Sequence, residues 1–432
     1  MSGFVWLALL LLGLAFLLRV DFIYYVIYVA AGVYVWSLLY TPRAMGNLVA
    51  SRNFRRRAFL GEVVNVSLEL HNRGRLSIPW LQIQESVPIE LRIGNPVQHV
   101  ATLRGRQTVN FAYQIKGQQR GYYRLGPLRL TGGDLFGLAK QQHGLLAADY
   151  LTVYPRIISL ERLGLPSRLP FGSVASRQRL FEDPARPIGV RDFRSGDSLR
   201  RMNWKASAHT QKLLARNFEP AISLESHLLL DLNSSGYERR EHRYATEWAI
   251  TTAATLANHL IEQRQSVGLL SNGVDPLRLH EDTQVFDEVS GRLIFQAALD
   301  EGKWQSYMAA PIRPHNGRPH LMKILEQLAR LESHETISFS EWAPAACVDL
   351  SWGVTVLAIV ADGNVATCRT LHQLVGRGFN VVLIAVEPDA NFGLVRERAR
   401  TLGFKAYNIA TNRDFESWRS SLPATALGTA VS

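Results

Sequence analysis

The chain has 432 residues, enough for two or three domains, and carries a net charge of +11. Its two cysteines, Cys347 and Cys368, exclude a disulfide framework and a cysteine-built metal cluster, and fit a reducing compartment. The serine-hydrolase elbow, the zinc-protease His-Glu-x-x-His and the phosphate loop are absent, and His209, His227, His242 and His259 lack ligand spacing.

Gly3 to Leu18 is almost wholly apolar, Arg19-Val20-Asp21 interrupts it, and Phe22 to Tyr40 is apolar again. The second run is long enough to cross a bilayer, which needs about 20 residues. The first run is shorter, with Arg19 placed to snorkel toward the interface. Residues 1–42 therefore predict a transmembrane helical hairpin. The alternatives are a soluble core hairpin and a cleaved leader. Runs this apolar and this close together seldom sit in a soluble core, and the basic start of a leader is missing. Arg43, Arg52, Arg55, Arg56 and Arg57 follow the second run, so the positive-inside rule puts the body in the cytoplasm at the inner membrane, with two spans. Beside a span these arginines suit lipid headgroups, and no nucleic-acid partner is expected.

Residues 43–155 read as a membrane-proximal β-sandwich. Val64, Val66, Leu68 and Leu70 alternate with polar residues, as do Val109, Phe111, Tyr113 and Ile115, and turn residues separate the runs. Residues 156–225 form a linker and signature segment. Within it, Glu182 to Pro187 reads as extended linker, and Gly189 to Lys205 is densely polar. Ser195-Gly196-Asp197 is a turn, with Asp197 placed to cap a following helical turn. Arg191, Asp197 and Arg200 make either an ion-pair network around Trp204 or a docking surface.

In residues 226–420 strand and helix patterns alternate. The strands are His227 to Leu230, Val267 to Leu270, Val354 to Val360 and Val381 to Val386. The helices are Tyr244 to Gln263, Pro319 to Leu331, Val365 to Val375 and Phe392 to Leu402. Strands separated by helices predict a parallel sheet covered on both faces, a Rossmann-type α/β domain. Residues 421–432 are a low-complexity tail expected to be disordered.

The run Leu228-Leu229-Leu230-Asp231-Leu232-Asn233-Ser234-Ser235-Gly236 is an apolar strand that ends in oxygen-bearing side chains at alternate positions. Asp231, Asn233 and Ser235 would project at the carboxyl end of a strand, where open α/β sheets bind ligands. A second strand ends at Asp362-Gly363 and offers another carboxylate. Oxygen ligands of this kind suit a hard cation such as Mg²⁺, while the plainer reading has Asp231 and Asn233 capping the loop.

These two strand ends resemble the von Willebrand factor A fold, whose metal-ion-dependent adhesion site reads Asp-x-Ser-x-Ser with a distant Thr and Asp. Asn233 stands where that pattern has its first Ser, and no hydroxyl occurs at Asn316 to His320, where the Thr is expected. Separately, Gly189, Arg191, Phe193, Gly196, Asp197, Arg200 and Trp204 resemble the signature of the bacterial family called domain of unknown function 58. Gly121 to Pro127 and Asp134 to Leu138 look like the same family. The resemblance implies association with MoxR-type AAA+ ATPases and other von Willebrand A proteins in membrane-linked chaperone or assembly systems. The resulting expectation is an adaptor that binds protein partners and is not an enzyme. The alternatives are a structural scaffold with a degenerate metal site, or an enzyme with a constellation of its own.

Overall fold

The computed structural model describes residues 6, 21–94, 97–158, 182–193, 202–220, 225–238, 242–278, 284–287, 289–295, 306–387 and 392–409. Apart from Trp6, the first apolar run lies outside the described residues, as does the tail from 410. Helix α1 (Asp21–Met45) contains the single described stretch long and apolar enough to span a membrane, Tyr24–Met45. Phe22, Tyr25, Tyr28, Val29 and Trp36 point outward and are exposed, as a lipid-facing helix requires.

By contacts the chain forms two units. One comprises Met1–Pro155 with Leu279–Ala298 and Leu328–Arg330; the other comprises Arg156–Arg278, Leu299–Gln327 and Leu331–Ser432.

The first unit is rich in sheet. Its strands are β1 (Leu48–Asn53), β2 (Arg57–Phe59), β3 (Val63–Asn72), β4 (Ile78–Glu85), β5 (Gln98–Leu103), β6 (Thr108–Lys116), β7 (Gly121–Leu125), β8 (Leu128–Gly133), β9 (Lys140–Leu146) and β10 (Asp149–Tyr154). They form three sheets, ordered β1-β3-β6, β2-β10-β7 and β5-β4-β8-β9. The alternation read in the sequence is that of β3: Val64, Val66, Leu68 and Leu70 are buried and their neighbours face out. Leu68 and Leu70 pack with Leu81 and Ile83 of β4, Leu128 and Leu130 of β8, and Ala44 and Met45 at the end of α1. The last turn of the apolar helix is thus part of the core.

Of the arginines that set the orientation in the sequence, Arg43, Arg55, Arg56 and Arg57 are exposed, and Arg52 alone has its side chain buried. Arg52 is buried between Glu85 (2.6 Å) and Asp149 (2.7 Å), Arg55 pairs with Glu62 (2.8 Å) and Arg56 with Asp149 (3.3 Å). A run of arginines after a span looks the same in sequence whether or not distant acids neutralise it.

The second unit begins with β11 (Glu182–Asp192), antiparallel to β12 (Leu214–Pro220), with α2 (Trp204–Thr210) between them. Glu182 to Pro187, expected as linker, is the first half of β11, and register shifts at Pro187 and Gly189 accommodate the prolines. Asp197 lies outside the described residues; Asn203 caps α2, its side-chain oxygen accepting from Ala206 N at 3.2 Å.

The remaining elements are β13 (Glu225–Leu230), α3 (His242–Glu262), β14 (Ser266–Ser271), β15 (Val285–Phe286), β16 (Leu293–Ile294), β17 (Ile312–His315), α4 (Arg318–Arg330), α5 (Phe339–Ala346), β18 (Thr355–Val360), α6 (Val365–Gly376), β19 (Asn380–Ala385), α7 (Phe392–Thr401) and β20 (Lys405–Asn408). Six strands form one sheet in the order β17-β14-β13-β18-β19-β20. All neighbours are parallel except β17, which is antiparallel to β14. The buried runs of β13, β18 and β19 are the continuous Leu, Val and Ile segments of a sheet covered on both faces. On α3, Ala245, Ala249, Ala253 and Ala257 recur every four residues and are buried, a small-residue stripe that brings the helix close. The short β15 and β16 group with the sheet-rich unit, where Arg124 N donates to Gly291 O at 2.9 Å.

Candidate functional site

Numbered among themselves, the six strands run 3-2-1-4-5-6, so the order reverses between β13 and β18. At such a switch point the connections leave in opposite directions and open a crevice beyond the carboxyl ends of the strands. Asp231 follows β13 directly and its N–H donates to Ile359 O of β18 at 2.9 Å. Asp362 lies two residues beyond β18. The sequence placed both carboxylates at this edge, and the structure brings them close enough to interact electrostatically.

The Asp231 side chain is buried. Its Oδ1 accepts from Asn272 Nδ2 at 2.6 Å and from Asn233 N at 3.1 Å. Tyr237 Oη donates to the Asp231 carbonyl at 2.6 Å, closing the loop over the strand end. Burial pushes the Asp231 carboxyl from 3.8 up to about 6; the Asn272 and Asn233 bonds pull it down, and the neighbouring Asp362 pushes it further up. Burial also holds the Tyr237 hydroxyl well above its ordinary value, with Asp231 and Glu387 adding to the effect.

Asp362 is half-buried, and its Oδ1 accepts from Asn364 Nδ2 at 3.0 Å. Asn364 in turn caps α6 by accepting from Thr367 N at 2.9 Å. Asn233 Oδ1 accepts from Thr336 N at 3.1 Å and from Ser235 N at 3.4 Å. Two N–H donors match the two lone pairs of an amide oxygen, so Asn233 serves the loop rather than a cation. Ser235 is exposed. Among the described residues no three His, Cys, Asp or Glu side chains converge as a metal cluster. Of the four residues the sequence nominated for Mg²⁺, the two carboxylates fit a hard cation by their chemistry and Asn233 does not.

Sequence reasoning missed the group that organises the site. Asn272, directly after β14, is fully buried; besides Asp231 it holds Leu232 N at 2.7 Å through Oδ1 and Ile337 O at 3.2 Å through Nδ2. The signal was present, because Leu269-Leu270-Ser271-Asn272-Gly273 is an apolar strand ending in polar side chains, like the run that revealed Asp231. The Asn316 to His320 segment, where the adhesion pattern would have its Thr, lies at the opposite end of the strands. Because β17 is antiparallel, His315 pairs with Val267 near the start of β14, and His320 Nε2 sits 2.7 Å from Val267 O. Helix α4 then carries the chain back, and the hydroxyls arrive from the segment that follows it. Ser333 Oγ donates to Leu232 O at 2.7 Å, and Thr336 Oγ1 to Asn272 O at 3.1 Å.

Of the signature residues, Gly189 and Arg191 lie on β11, where Arg191 Nη1 donates to Asp192 O at 3.2 Å. Phe193 is half-buried and its N–H donates to Leu213 O at 2.9 Å. Trp204 starts α2 and is 67% exposed, so it is not the buried centre of an ion-pair network. Gly196, Asp197 and Arg200 lie outside the described residues.

Residues 189–339 match the model of the family described as "Protein of unknown function DUF58". The match takes in Asp231, Asn233, Ser235, Asn272, Ser333 and Thr336 and stops short of Asp362. A curated relative, "Uncharacterized protein YeaD" of Bacillus subtilis (strain 168), is 22% identical over 217 residues, 49% of this chain and 52% of that protein. The chain therefore spans about half the length of that relative. Among solved structures, the CARDB domain of a Pyrococcus furiosus protein is 12% identical and covers 24% of this chain and 91% of that one, with a TM-score of 0.20. A beta-glucosidase from Listeria innocua is 12% identical over 24% of this chain and 16% of its own, with a TM-score of 0.15. At these scores neither likeness bears on the site.

Proposed function

We propose that the chain is a membrane-anchored adaptor that presents the carboxyl edge of its α/β unit to protein partners. The observation that carries this reading is the pair Asp231 and Asp362 at the switch point of a 3-2-1-4-5-6 sheet, with Asp231 buried and held near 6. That strand order, with an antiparallel strand at the edge, supports the von Willebrand A-like reading of the fold. A buried carboxylate facing a second carboxylate gains from an incoming cation or donor. Mg²⁺ would supply a positive centre with open positions for a partner's oxygen ligands. On this chain, Asp231 and Asp362 would hold it, while Asn272 keeps Asp231 oriented. Asn233, Ser333 and Thr336 shape the loops around the two carboxylates.

The resemblance at Gly189 to Trp204 adds a MoxR-type AAA+ ATPase and other von Willebrand A proteins as the partners. A two-span anchor with the soluble units in the cytoplasm completes the proposal, and the chain performs no catalysis of its own. A second reading rests on one observation: both Asn233 lone pairs are taken, as in a degenerate metal site on a structural scaffold.

The test is affinity recovery of partners by the full chain from a detergent extract, comparing wild type, Asp231→Asn and Asp231→Ala. The expected result is an AAA+ ATPase recovered by wild type and lost from both variants, each still folded. An unchanged set of partners containing no ATPase overturns the adaptor and leaves the scaffold.

A further inference from the structure

The end of the sheet-rich unit from which α1 emerges carries a surface with no role in the adaptor reading. Met45 lies against Gly132 near the end of β8, and five residues earlier Tyr40 Oη donates to Ser77 O at 2.5 Å. Ser77 precedes β4, beyond the level at which Trp80 pairs with Gly133. Traced backwards, α1 therefore leaves the unit at the end where β8 turns into β9.

That turn is Asp134-Leu135-Phe136-Gly137-Leu138-Ala139. Leu135 and Phe136 are 79% and 70% exposed. Their presentation is built in. The buried Asp134 carboxylate accepts from Phe136 N at 3.0 Å and from Ala139 N at 2.8 Å, Trp80 Nε1 donates to the Asp134 carbonyl at 2.9 Å, and Gly137 takes a φ of +71°. Two apolar side chains are thus locked outward at the tip of a hairpin beside the apolar helix.

At the same end lie two Arg-Gly-Arg turns, Arg73-Gly74-Arg75 and Arg104-Gly105-Arg106. They interlock: Arg106 N donates to Gly74 O at 2.9 Å, Asn72 Nδ2 donates to Arg104 O at 3.1 Å, and a Cβ on Gly105 would strike the Arg75 carbonyl. Arg73 N donates to Asn47 O at 3.0 Å, which ties the pair to the foot of α1. The four arginines are exposed, as are Arg43 and Lys140. Asp134 is the sole acid in these turns, and it is buried. Arg52, Arg55 and Arg56 have carboxylate partners; these four make no ion pair with an acid among the described residues.

We propose that this end of the unit docks on an anionic membrane leaflet, with Leu135 and Phe136 entering the interface and the two Arg-Gly-Arg turns engaging lipid phosphates. The inference rests on α1 being a membrane span. Continuity with that span selects a lipid surface over other polyanions: the helix that enters the bilayer leaves through the same face. An apolar tip ringed by basic side chains matches a leaflet, which is greasy beneath and negative above. The consequence is a unit held by two footholds, so that it stands in one orientation over the membrane rather than swinging on α1.

The experiment uses the full chain in lipid nanodiscs with a spin label at one introduced cysteine; Cys347 and Cys368 are both buried. Accessibility to oxygen and to a water-soluble nickel complex reports depth. A label at Leu135→Cys is expected to read lipid in discs containing phosphatidylglycerol and to shift toward water in pure phosphatidylcholine. In the Arg73→Gln, Arg75→Gln, Arg104→Gln, Arg106→Gln background that dependence on lipid charge is lost. A label at Leu60→Cys should read water throughout, because the ten residues of β3 put it roughly 30 Å from this face. A label at Tyr28→Cys reports the span itself. If Tyr28 reads water, the span reading fails and the inference falls with it. If Tyr28 reads lipid while Leu135 reads water in both discs, or responds to added RNA rather than lipid charge, the docking surface alone is overturned.

Discussion

Glu85 in the sheet-rich unit and Asp231 in the α/β unit are both buried acids, and their surroundings treat them in opposite ways. Burial raises the carboxyl of each. At Glu85 the Arg52 guanidinium, 2.6 Å away, pulls it part of the way back down against the push of burial and of Asp149. At Asp231 the immediate donors are neutral, and the charge that Asp362 contributes pushes the carboxyl up. An acid braced by its own arginine is part of the scaffold. On the proposed adaptor reading, Asp231, held by neutral donors at a sheet switch point, is the acid that gains from an incoming cation.

The sharpest way to break the first half of this contrast is Arg52→Met. Removing the cation leaves Glu85 buried without a counter-charge and Asp149 without its closer partner, a change that costs about 3–5 kcal/mol. Chemical denaturation of the detergent-solubilised chain should show this loss. Adding Glu85→Leu should restore most of it, because replacing both members by apolar groups removes the uncompensated charge.

Asp231→Asn should have the opposite sign. The carboxyl titrates at about 6 in the fold against 3.8 as its ordinary value. A raised folded value means that the stability it contributes is complete below about pH 4 and is lost as pH rises through 6. A shift of this size corresponds to about 3 kcal/mol at most, at ~1.36 kcal/mol per unit. The asparagine should therefore match wild type near pH 4 and exceed it by up to that amount at pH 8. His227, which burial lowers to about 4, works in the other direction, but it is present in both proteins and cancels in the difference. Millimolar Mg²⁺ at pH 8 should stabilise wild type and leave Asp231→Asn unmoved. A variant no more stable than wild type at pH 8 would place Asp231 with Glu85, among the scaffold's own satisfied groups.

Asn272→Ala separates the orientation of Asp231 from its charge. It removes a fully buried amide and leaves Leu232 N–H and Ile337 C=O without their partner, a loss of about 1–3 kcal/mol. It also removes a bond that favours the Asp231 carboxylate, so the carboxyl should titrate higher than in wild type. NMR titration of Asp231 in the two proteins measures both effects together with stability.

The sequence disclosed these two acids unequally, for a physical reason. Long strands buried on both faces and amphipathic helices leave a strong local pattern, which is why β13, β14, β18, β19, α3, α4, α6 and α7 were read within a few residues. Four-residue strands such as β17 and β20, and α5 with Pro344 inside it, leave almost none. Asp231 and Asp362 were visible because a charge interrupts an apolar run at a strand end. Asn272 interrupts its run in the same way but carries no charge to draw notice. Ser333 and Thr336 could not be placed without knowing that β17 reverses direction. The burial of Arg52 was not legible because Glu85 and Asp149 are 33 and 97 residues away, and neither separation is written in the arginine cluster itself.

The smallest effect on stability belongs to Trp204, and it carries the most direct test of the signature segment. A tryptophan kept inside a structural network would be buried with its indole N–H satisfied. Trp204 instead opens α2 with 67% of its surface exposed, while Asn203 beside it supplies the cap. Trp204→Ser leaves that cap in place and removes mainly exposed surface, so stability should change by less than about 0.5 kcal/mol. Exposed aromatics are the side chains that anchor interfaces, since a rigid ring buries a large area at little entropic cost. The same substitution should therefore reduce partner recovery by the full chain at unchanged stability, the reverse of the pattern for Arg52→Met. Recovery equal to wild type would return Trp204 to ordinary surface and leave Asp231 and Asp362 as the partner-facing groups.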